Sequence, residues 1–184
     1  MAPTTPRILT CEQVTQLLQT AQGHPLEAFV ALALGTGMRP SEMLALQWSN
    51  VDFEQRCLQV RRAIFSTGVK PLVGSPKTKE SQRQVMLIPV VWQVLLRHRE
   101  TQEEKQSRTN DQWQNNDLVF CTTTGSYLPP KRLLDGFHRL LESAGLPWVR
   151  LHDLRLTAGV WISVMQGLGP QPLKADFPLD ENAR

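Results

Sequence analysis

One helix-length segment near the N-terminus is apolar on nearly every side, and it constrains the fold more than any other stretch. Pro25 suits a first helical turn, residues 26–34 are mostly Ala, Leu, Val and Phe, and a Gly-Thr-Gly turn follows at 35–37. A helix without a polar face is stable only when neighbouring elements cover it, so we expect it at the centre of the core. The apolar run is far too short to span a bilayer.

The rest of the chain predicts a mainly helical α+β domain with a small antiparallel sheet on one side. Thr10 and Gln13 form a capping-box pattern for a first helix, and two alternating segments separated by glycine and proline turns are typical of a β-hairpin. The polar segment 105–116 is interpreted as an exposed loop insertion. The predicted elements are helices over 11–21, 26–34, from Pro40, 89–104, 130–144 and from His152 to about 166, and strands over 57–63 and 82–88.

Basic residues are concentrated in the middle of the chain. The net charge is only +3, but between Glu54 and Arg99 nine Lys and Arg residues stand against two glutamates, a local excess of +7. A basic block of this kind suggests a polyanionic partner, most often nucleic acid. A merely solubilising surface is the alternative that charge alone leaves open.

Several common kinds of site have no counterpart in the sequence. The cysteines, Cys11, Cys57 and Cys121, are widely spaced and show no metal or redox pattern. We also find no ligand cluster suited to a metal, no Walker loop and no nucleophile elbow, so we expect neither a metal nor a cofactor. The N-terminus lacks the apolar core of a signal peptide, which favours a cytoplasmic protein with reduced thiols and no membrane attachment.

Three separate segments each present cations at a turn or at the start of a helix. They are Arg39 behind the Gly-Thr-Gly turn, the polar tip with Lys77 and Lys79, and His152 with Arg155. Each has a simpler interpretation. Arg39 could form an ion pair with Glu42, the two lysines could protect a sheet edge, and the spacing of His152 and Arg155 could occur by chance on a helix. Together they could converge on one anion. Two guanidiniums can neutralise the oxygens of a phosphodiester in its transition state, and a Lys or His can protonate the leaving oxygen.

These ordered motifs resemble the catalytic domain of the tyrosine recombinases, or phage-type integrases. The segment Gly37-Met38-Arg39-Pro40-Ser41-Glu42 is similar to the family's Gly-x-Arg-x-x-Glu turn, and Leu44-Ala45-Leu46-Gln47-Trp48 and Val51-Asp52 follow as is usual there. The segment Lys77-Thr78-Lys79 is similar to the Lys-Thr-Lys of the family's β-hairpin. The segment His152-Asp153-Leu154-Arg155, with Thr157-Ala158 behind it, is similar to the family's His-x-x-Arg motif. The resemblance covers about residues 8 to 166.

The resemblance implies an integrase-like catalytic domain that acts on double-stranded DNA in site-specific recombination and integration of a mobile element. In such enzymes a tyrosine attacks the scissile phosphate, which leaves a 3′-phosphotyrosyl link and a free 5′ hydroxyl, and no metal or nucleotide takes part. Lys79 remains the alternative to Lys77 as general acid. The residues that the resemblance marks as catalytic are Arg39, Lys77, His152 and Arg155, with Glu42 and Lys79 in support.

The sequence departs from the family pattern after Arg155. The family's Leu-Gly-His turn and the tyrosine that follows it have no counterpart, since residues 167–170 are Gly-Leu-Gly-Pro and no His or Tyr comes later. Position 156, commonly a second His, is Leu156. The one tyrosine, Tyr127, precedes the His-x-x-Arg motif and is interpreted as a packing residue of a loop. We therefore expect a C-terminally truncated chain with no nucleophile, inactive on its own.

The predicted organisation is a disordered leader over 1–8, an incomplete recombinase-like catalytic domain over 9–168 and a divergent tail over 169–184. Members of the family assemble by exchanging a C-terminal segment between subunits. Because that segment has no counterpart in this sequence, we expect a monomer in isolation. Three functions stay open. The chain could be a recombinase fragment that needs a tyrosine from a full-length recombinase subunit, a non-catalytic DNA-binding or regulatory remnant of an integrase, or a globular domain whose basic hairpin is only surface.

Overall fold

The apolar helix lies at the centre of the molecule, as its composition predicts. The structure is a computed structural model that describes residues 7–64, 73–74 and 82–165. Helix α2 spans Glu27–Thr36, and its residues from Ala28 to Gly35 are all buried. The other helices pack around it because the segment has no face that could favourably meet water. Among the described residues, no helix combines the length and apolar character that crossing a bilayer requires.

Four of the predicted helices begin where their capping signals place them. In the first, the Thr10 hydroxyl accepts a hydrogen bond from the Gln13 amide, and the Gln13 side chain accepts one from the Thr10 amide, which completes the capping box. Proline stands in the first turn of three others. The helices besides α2 are α1 (Cys11–Ala21), α3 (Pro40–Leu44), α4 (Pro89–Thr109), α5 (Pro130–Ser143) and α6 (Leu154–Met165), with short 3-10 turns at Trp48–Asn50, Asn110–Gln112 and Leu151–Asp153.

The small sheet is antiparallel and lies to one side of the helices. Its strand order is β1 (Val51–Asp52), β2 (Cys57–Val60), β5 (Arg83–Met86), and Val60 pairs with Arg83 at its end. A separate pair joins β3 (Ala63–Ile64) to β4 (Val73–Gly74). The single strand predicted over 57–63 is thus divided at the exposed pair Arg61-Arg62. The α+β architecture, mainly helical with a small antiparallel sheet, is confirmed.

Two local predictions were wrong. The segment 105–116 is not wholly a loop, because α4 continues to Thr109 and a 3-10 turn follows. This extension has no apolar face, and its Arg108 lies 3.8 Å from Glu104, four residues earlier, in an exposed salt bridge. On α5, Leu134 shares a predicted inner face with four buried residues yet is 38% exposed, since it lines an open groove of about 460 Å³ between α3 and α5.

The N-terminal end of the domain is attached to its last described helix. The Leu9 amide donates to the hydroxyl of Thr157, which in turn donates to the Asp153 carbonyl. Leu9 itself is buried in the core. The first six residues of the predicted leader and the whole of the predicted tail over 169–184 lie outside the described residues.

Candidate functional site

Two turns from distant parts of the sequence meet at one end of α2. Gly37 ends α2 in the left-handed conformation, with φ of 62°, and Arg39 follows as the N-cap residue of α3. The 3-10 turn at 151–153 leads into α6, which packs along α2. A methyl group placed on Gly37 would lie 3.8 Å from the Arg155 carbonyl oxygen and 3.9 Å from Arg155 Cγ. The fold therefore brings Arg39 and Arg155 onto adjacent turns.

A buried carboxylate, that of Glu42, lies between the basic side chains of these turns. Oε2 accepts the Arg39 amide at 3.0 Å, and Oε1 accepts Arg39 Nη1 at 3.2 Å. Burial by itself raises the pKa of Glu42, but the hydrogen bonds from Arg83 and from the Arg39 amide outweigh it, so the pKa lies below its ordinary value. The sequence left open whether Arg39 pairs with Glu42 or faces a cleft. The structure shows the pairing, while the Arg39 side chain stays 44% exposed.

Arg83 is the site residue that the motif analysis missed. It lies on β5, and its Nη1 and Nη2 donate to the two carboxylate oxygens of Glu42 at 3.2 and 2.9 Å. The sequence did carry a signal for it. In the alternating strand, Arg83 shares a face with Val85 and Leu87, and a charge on the apolar face of a strand requires a buried partner. We name Arg39, Glu42, Arg83, His152 and Arg155 the arginine site.

His152 lies on the exposed side of the 3-10 turn. Burial and then the charge of Arg155 lower its pKa, Asp153 opposes them, and Arg39 and Arg150 lower it further. The imidazole is therefore neutral at pH 7, able to donate one hydrogen bond from one ring nitrogen. The neighbouring Asp153 is buried and receives Arg150 Nε at 3.0 Å and Nη2 at 3.0 Å, which fixes the turn that holds His152.

Arg155 is half-buried at the start of α6. Burial is the largest cause that lowers its pKa, and the charges of Arg39 and Arg83 lower the pKa further. The carboxylate of Glu42 only partly offsets these effects. Among the described residues, the charges that act on Arg155 are those of the arginines Arg39 and Arg83 and of one carboxylate, Glu42. This described part of the arginine site therefore carries more positive than negative charge in a partly desolvated place, which is the setting that favours a bound anion.

The described part of the structure shows no contact between the arginine site and the other residues that the sequence singled out. Lys77 and Lys79 lie outside the described residues, between strands β4 and β5. Tyr127 is half-buried against the core, in a loop where its backbone forms an isolated antiparallel β-bridge with Cys121. In the described ranges, no group of three or more His, Cys, Asp or Glu side chains could hold a metal ion.

The geometry suits an oxyanion rather than a cation or a neutral ligand. Arg39 and Arg155 carry forked N–H donors on adjacent turns, and His152 adds a neutral donor on the turn that leads into α6. The carboxylates of Glu42 and Asp153 are already engaged by arginines and so serve the scaffold. A tetrahedral phosphate group has the charge and the number of acceptor oxygens that such donors require.

Comparison with known proteins agrees with the motifs. The sequence profile of the phage integrase family matches residues 7–167. The chain belongs to the phage integrase family. A tyrosine recombinase XerC-like protein of Caldanaerobacter subterraneus is 31% identical over an alignment of 158 residues, and the match covers 79% of this chain and 40% of that protein. A phiRv2 prophage integrase of Mycobacterium tuberculosis, named as putative, is 27% identical over 151 residues, covering 79% of this chain and 37% of that protein.

Solved structures of the family share the fold. A Tn1549 transposon integrase in complex with transposon right-end DNA superposes with a TM-score of 0.74 at 22% identity, covering 92% of this chain and 56% of that one. XerA recombinase gives a TM-score of 0.69 at 21% identity, covering 91% of this chain and 53% of that one. The chain thus spans about two-fifths of the length of the sequence relatives that it matches. It corresponds to the site-specific recombinase catalytic domain of these proteins.

Proposed function

We propose that this domain binds double-stranded DNA and holds the scissile phosphate of a recombination site in the arginine site. The observation that carries the proposal is that Arg39 and Arg83 share the buried carboxylate of Glu42 while Arg155 lies on the adjacent turn, where burial and the charges of these two arginines lower its pKa. An anion bound there would relieve that repulsion, and duplex DNA presents a phosphodiester anion at every step.

Each side chain has a role that follows from its place. Arg39 and Arg155 contact the two non-bridging oxygens and stabilise the charge that grows on them in the transition state. His152, held neutral, donates a hydrogen bond to one of these oxygens. Lys77, or alternatively Lys79, supplies the proton for the leaving 5′ oxygen, as the family resemblance implies.

The partner is inferred from both charge and family. Within the basic block between Glu54 and Arg99, the exposed Arg61 and Arg62 give the domain further residues for contacts to phosphates along a duplex, whereas Arg97 is paired with Glu27. The Tn1549 transposon integrase, which has the same fold, was solved in complex with DNA. XerH site-specific recombinase, also of this fold, was likewise solved bound to a palindromic difH substrate.

We further propose that a polypeptide of these 184 residues holds the phosphate without cleaving the strand. Its one tyrosine, Tyr127, is a half-buried core contact, and none follows Arg155. Strand cleavage would then need a tyrosine from a full-length recombinase subunit. A non-catalytic, regulatory occupation of DNA sites is the second candidate, and it rests on the same missing tyrosine.

Binding is tested by titrating a fluorescent duplex of about 30 base pairs at several salt concentrations. We expect strongly salt-dependent binding, and the double variant Arg39→Ala/Arg155→Ala, which removes the contacts to one phosphate, should reduce the slope of log K against log salt by about 1. The matched control is Arg97→Ala/Arg108→Ala, which removes two arginines from exposed salt bridges on α4. Binding that is absent, insensitive to salt, or weakened equally by the control contradicts the proposal.

Cleavage is tested with a pool of nicked duplexes that trap covalent intermediates. We expect no protein–DNA adduct that survives denaturant. An adduct that forms with the wild-type chain and disappears in Tyr127→Phe would show that the chain supplies its own nucleophile, and the proposal of binding without cleavage would be wrong.

A further inference from the structure

Arg83 contacts Glu42 with both ends of its guanidinium. Nη2 donates to Oε2 at 2.9 Å, and Nη1 donates to Oε1 at 3.2 Å, so the planar fork meets the carboxylate with two parallel contacts. The two residues are 41 positions apart in sequence. The Glu42 side chain is 2% exposed and that of Arg83 is 31% exposed, so the pair is largely shielded from water.

The same carboxylate also fixes Arg39. Oε2 accepts the Arg39 backbone amide, and Oε1 accepts Arg39 Nη1. Each Glu42 oxygen is therefore shared between one donor of Arg39 and one donor of Arg83. A shift of the carboxylate would change the position of the Arg39 backbone and side chain together, and the two contacts from Arg83 oppose such a shift.

Arg83 is itself held by the sheet. It lies on β5, where its backbone pairs with Val60 of β2 at the end of the ladder. Strand β5 also comes directly after the segment 75–81 that contains Lys77 and Lys79. The Arg83–Glu42 contact thus connects the strand that follows the predicted catalytic lysines to the turn that presents Arg39.

We infer that Arg83 is a positioning residue of the arginine site, which acts through Glu42 to hold Arg39 in the geometry that receives a phosphate. The inference rests on the proposed function, because the effect of Arg83 is read out as phosphate affinity. Arg83 contributes more than a positive charge. A lysine at this place would keep the charge but could not make two parallel contacts to the carboxylate.

The experiment titrates inorganic phosphate into ¹⁵N-labelled protein and follows the side-chain Nε–Hε signals of Arg39 and Arg155 by NMR. In the wild type both signals should shift with phosphate. Arg83→Gln should weaken the affinity about 10-fold or more and move the Arg39 signal already in the free protein. The matched control, Arg97→Gln, also removes one arginine from a salt bridge with a glutamate, far from Arg39 in the sequence, and should leave both signals and the affinity unchanged.

Two further variants separate positioning from charge. Arg83→Lys should recover only part of the affinity, although its charge is intact, and it serves as the test if Arg83→Gln does not fold. In a Glu42→Gln background, adding Arg83→Gln should weaken binding far less than it does in the wild type, because the carboxylate through which Arg83 acts is gone.

The outcomes distinguish this inference from the proposed function. If phosphate shifts neither arginine signal in the wild type, the proposed function fails. If the wild type binds phosphate and either Arg83→Gln binds it as tightly as Arg97→Gln or Arg83→Lys recovers full affinity, the positioning role of Arg83 is wrong while the proposed function stands.

Discussion

At the scale of single residues, the site depends on two carboxylates that never need to touch a ligand. Glu42 aligns Arg39 and Arg83, and Asp153 receives Arg150 and fixes the turn that holds His152. Both are buried, and a buried carboxylate is tolerated only when charged donors satisfy it. The two acids therefore fix the positions of the basic residues that they contact.

Glu42→Gln should destabilise the folded protein by about 2 kcal/mol at neutral pH, since charge-assisted hydrogen bonds to two arginines become neutral ones. The pKa of Glu42 is lowered in the folded state. The ionised carboxylate therefore stabilises the folded protein fully above the pH at which a free glutamate titrates, and this stabilisation is lost as the pH falls through the pKa of the folded state. The difference in unfolding free energy between the wild type and the variant should therefore shrink from about pH 7 to about pH 3 in urea titrations.

The control for this measurement is Glu54→Gln, because Glu54 is an exposed carboxylate near β2. It should change the stability by no more than about 0.5 kcal/mol at any pH. A difference between Glu42→Gln and the wild type that stays constant over the whole pH range would contradict the lowered pKa.

The pKa of His152 should respond to its neighbours with opposite signs. Arg155→Gln should raise it, because the charge of Arg155 lowers it in the wild type, and Asp153→Asn should lower it further. Bound phosphate should raise it, so that the contribution of His152 to phosphate binding increases as the pH falls. NMR titration of the imidazole Cε1–H signals measures all three shifts.

His98 provides the control within the same spectra. Burial also lowers its pKa, but its ring nitrogen Nε2 contacts the Val119 carbonyl, far from the arginine site along the chain. Its pKa should not change with phosphate or with either substitution. If phosphate leaves the pKa of His152 unchanged, His152 does not contact the anion.

At the scale of elements, the close approach of α2 and α4 depends on a glycine within α2. A Cβ on Gly35 would lie 2.4 Å from Cγ2 of the buried Val91, so either this stiff β-branched side chain or the helices would have to shift. Gly37, two residues later, instead provides the left-handed turn that directs the chain toward Arg39. The two glycines thus set the packing of α2 and the direction of its exit.

Gly35→Ala should lower the free energy of unfolding by about 2 kcal/mol, although alanine favours helix formation by about 1 kcal/mol over glycine. The matched control is Gly136→Ala on α5, where the new Cβ would lie 3.1 Å from the end of the half-buried and adjustable Leu26 side chain. That substitution should be neutral to within about 1 kcal/mol. Thermal and urea unfolding measure the stability of both variants. Equal changes in stability would show that helix propensity, rather than the packing of α2 against α4, determines the effect of Gly35→Ala.

At the scale of the whole molecule, the described N-terminal and C-terminal segments are bound to each other. The Leu9 amide donates to Thr157 on α6, and the Arg7 amide reaches Asp153 Oδ2 at 3.5 Å. The segment that enters the domain is thus attached to the helix that carries Arg155. In a longer recombinase, this contact would connect whatever precedes the domain to the arginine site.

Thr157→Val, which has nearly the same shape, should destabilise the protein by about 2 kcal/mol because it leaves the buried Leu9 amide without an acceptor. Hydrogen exchange of the Leu9 amide should accelerate at the same time. The matched control is Thr15→Val, whose hydroxyl makes a comparable hydrogen bond to the carbonyl four residues earlier, on an exposed face of α1. It should cost less than about 0.5 kcal/mol, and a similar loss in both variants would contradict the role of the Leu9 contact.

Much of the fold followed from local patterns. The Thr10 capping box, the prolines in the first turns and the apolar face of α5 each predicted an element that the structure contains. The errors arose where local patterns compete. The polar end of α4 looked like a loop because residues 105–109 contain no apolar residue that would mark a buried helix face, and Leu134 looked buried because periodicity does not show where a groove opens.

The sequence alone determined which helix is central and which turns carry the cations, because an apolar helix must be covered and because glycine and proline set local backbone geometry. It could not determine that Arg39 and Arg83 share the carboxylate of Glu42, or that Leu9 is bound to Thr157. These contacts join residues 41 and 148 positions apart. No local preference specifies such pairs, so only the packing of α6 and the sheet around α2 decided them.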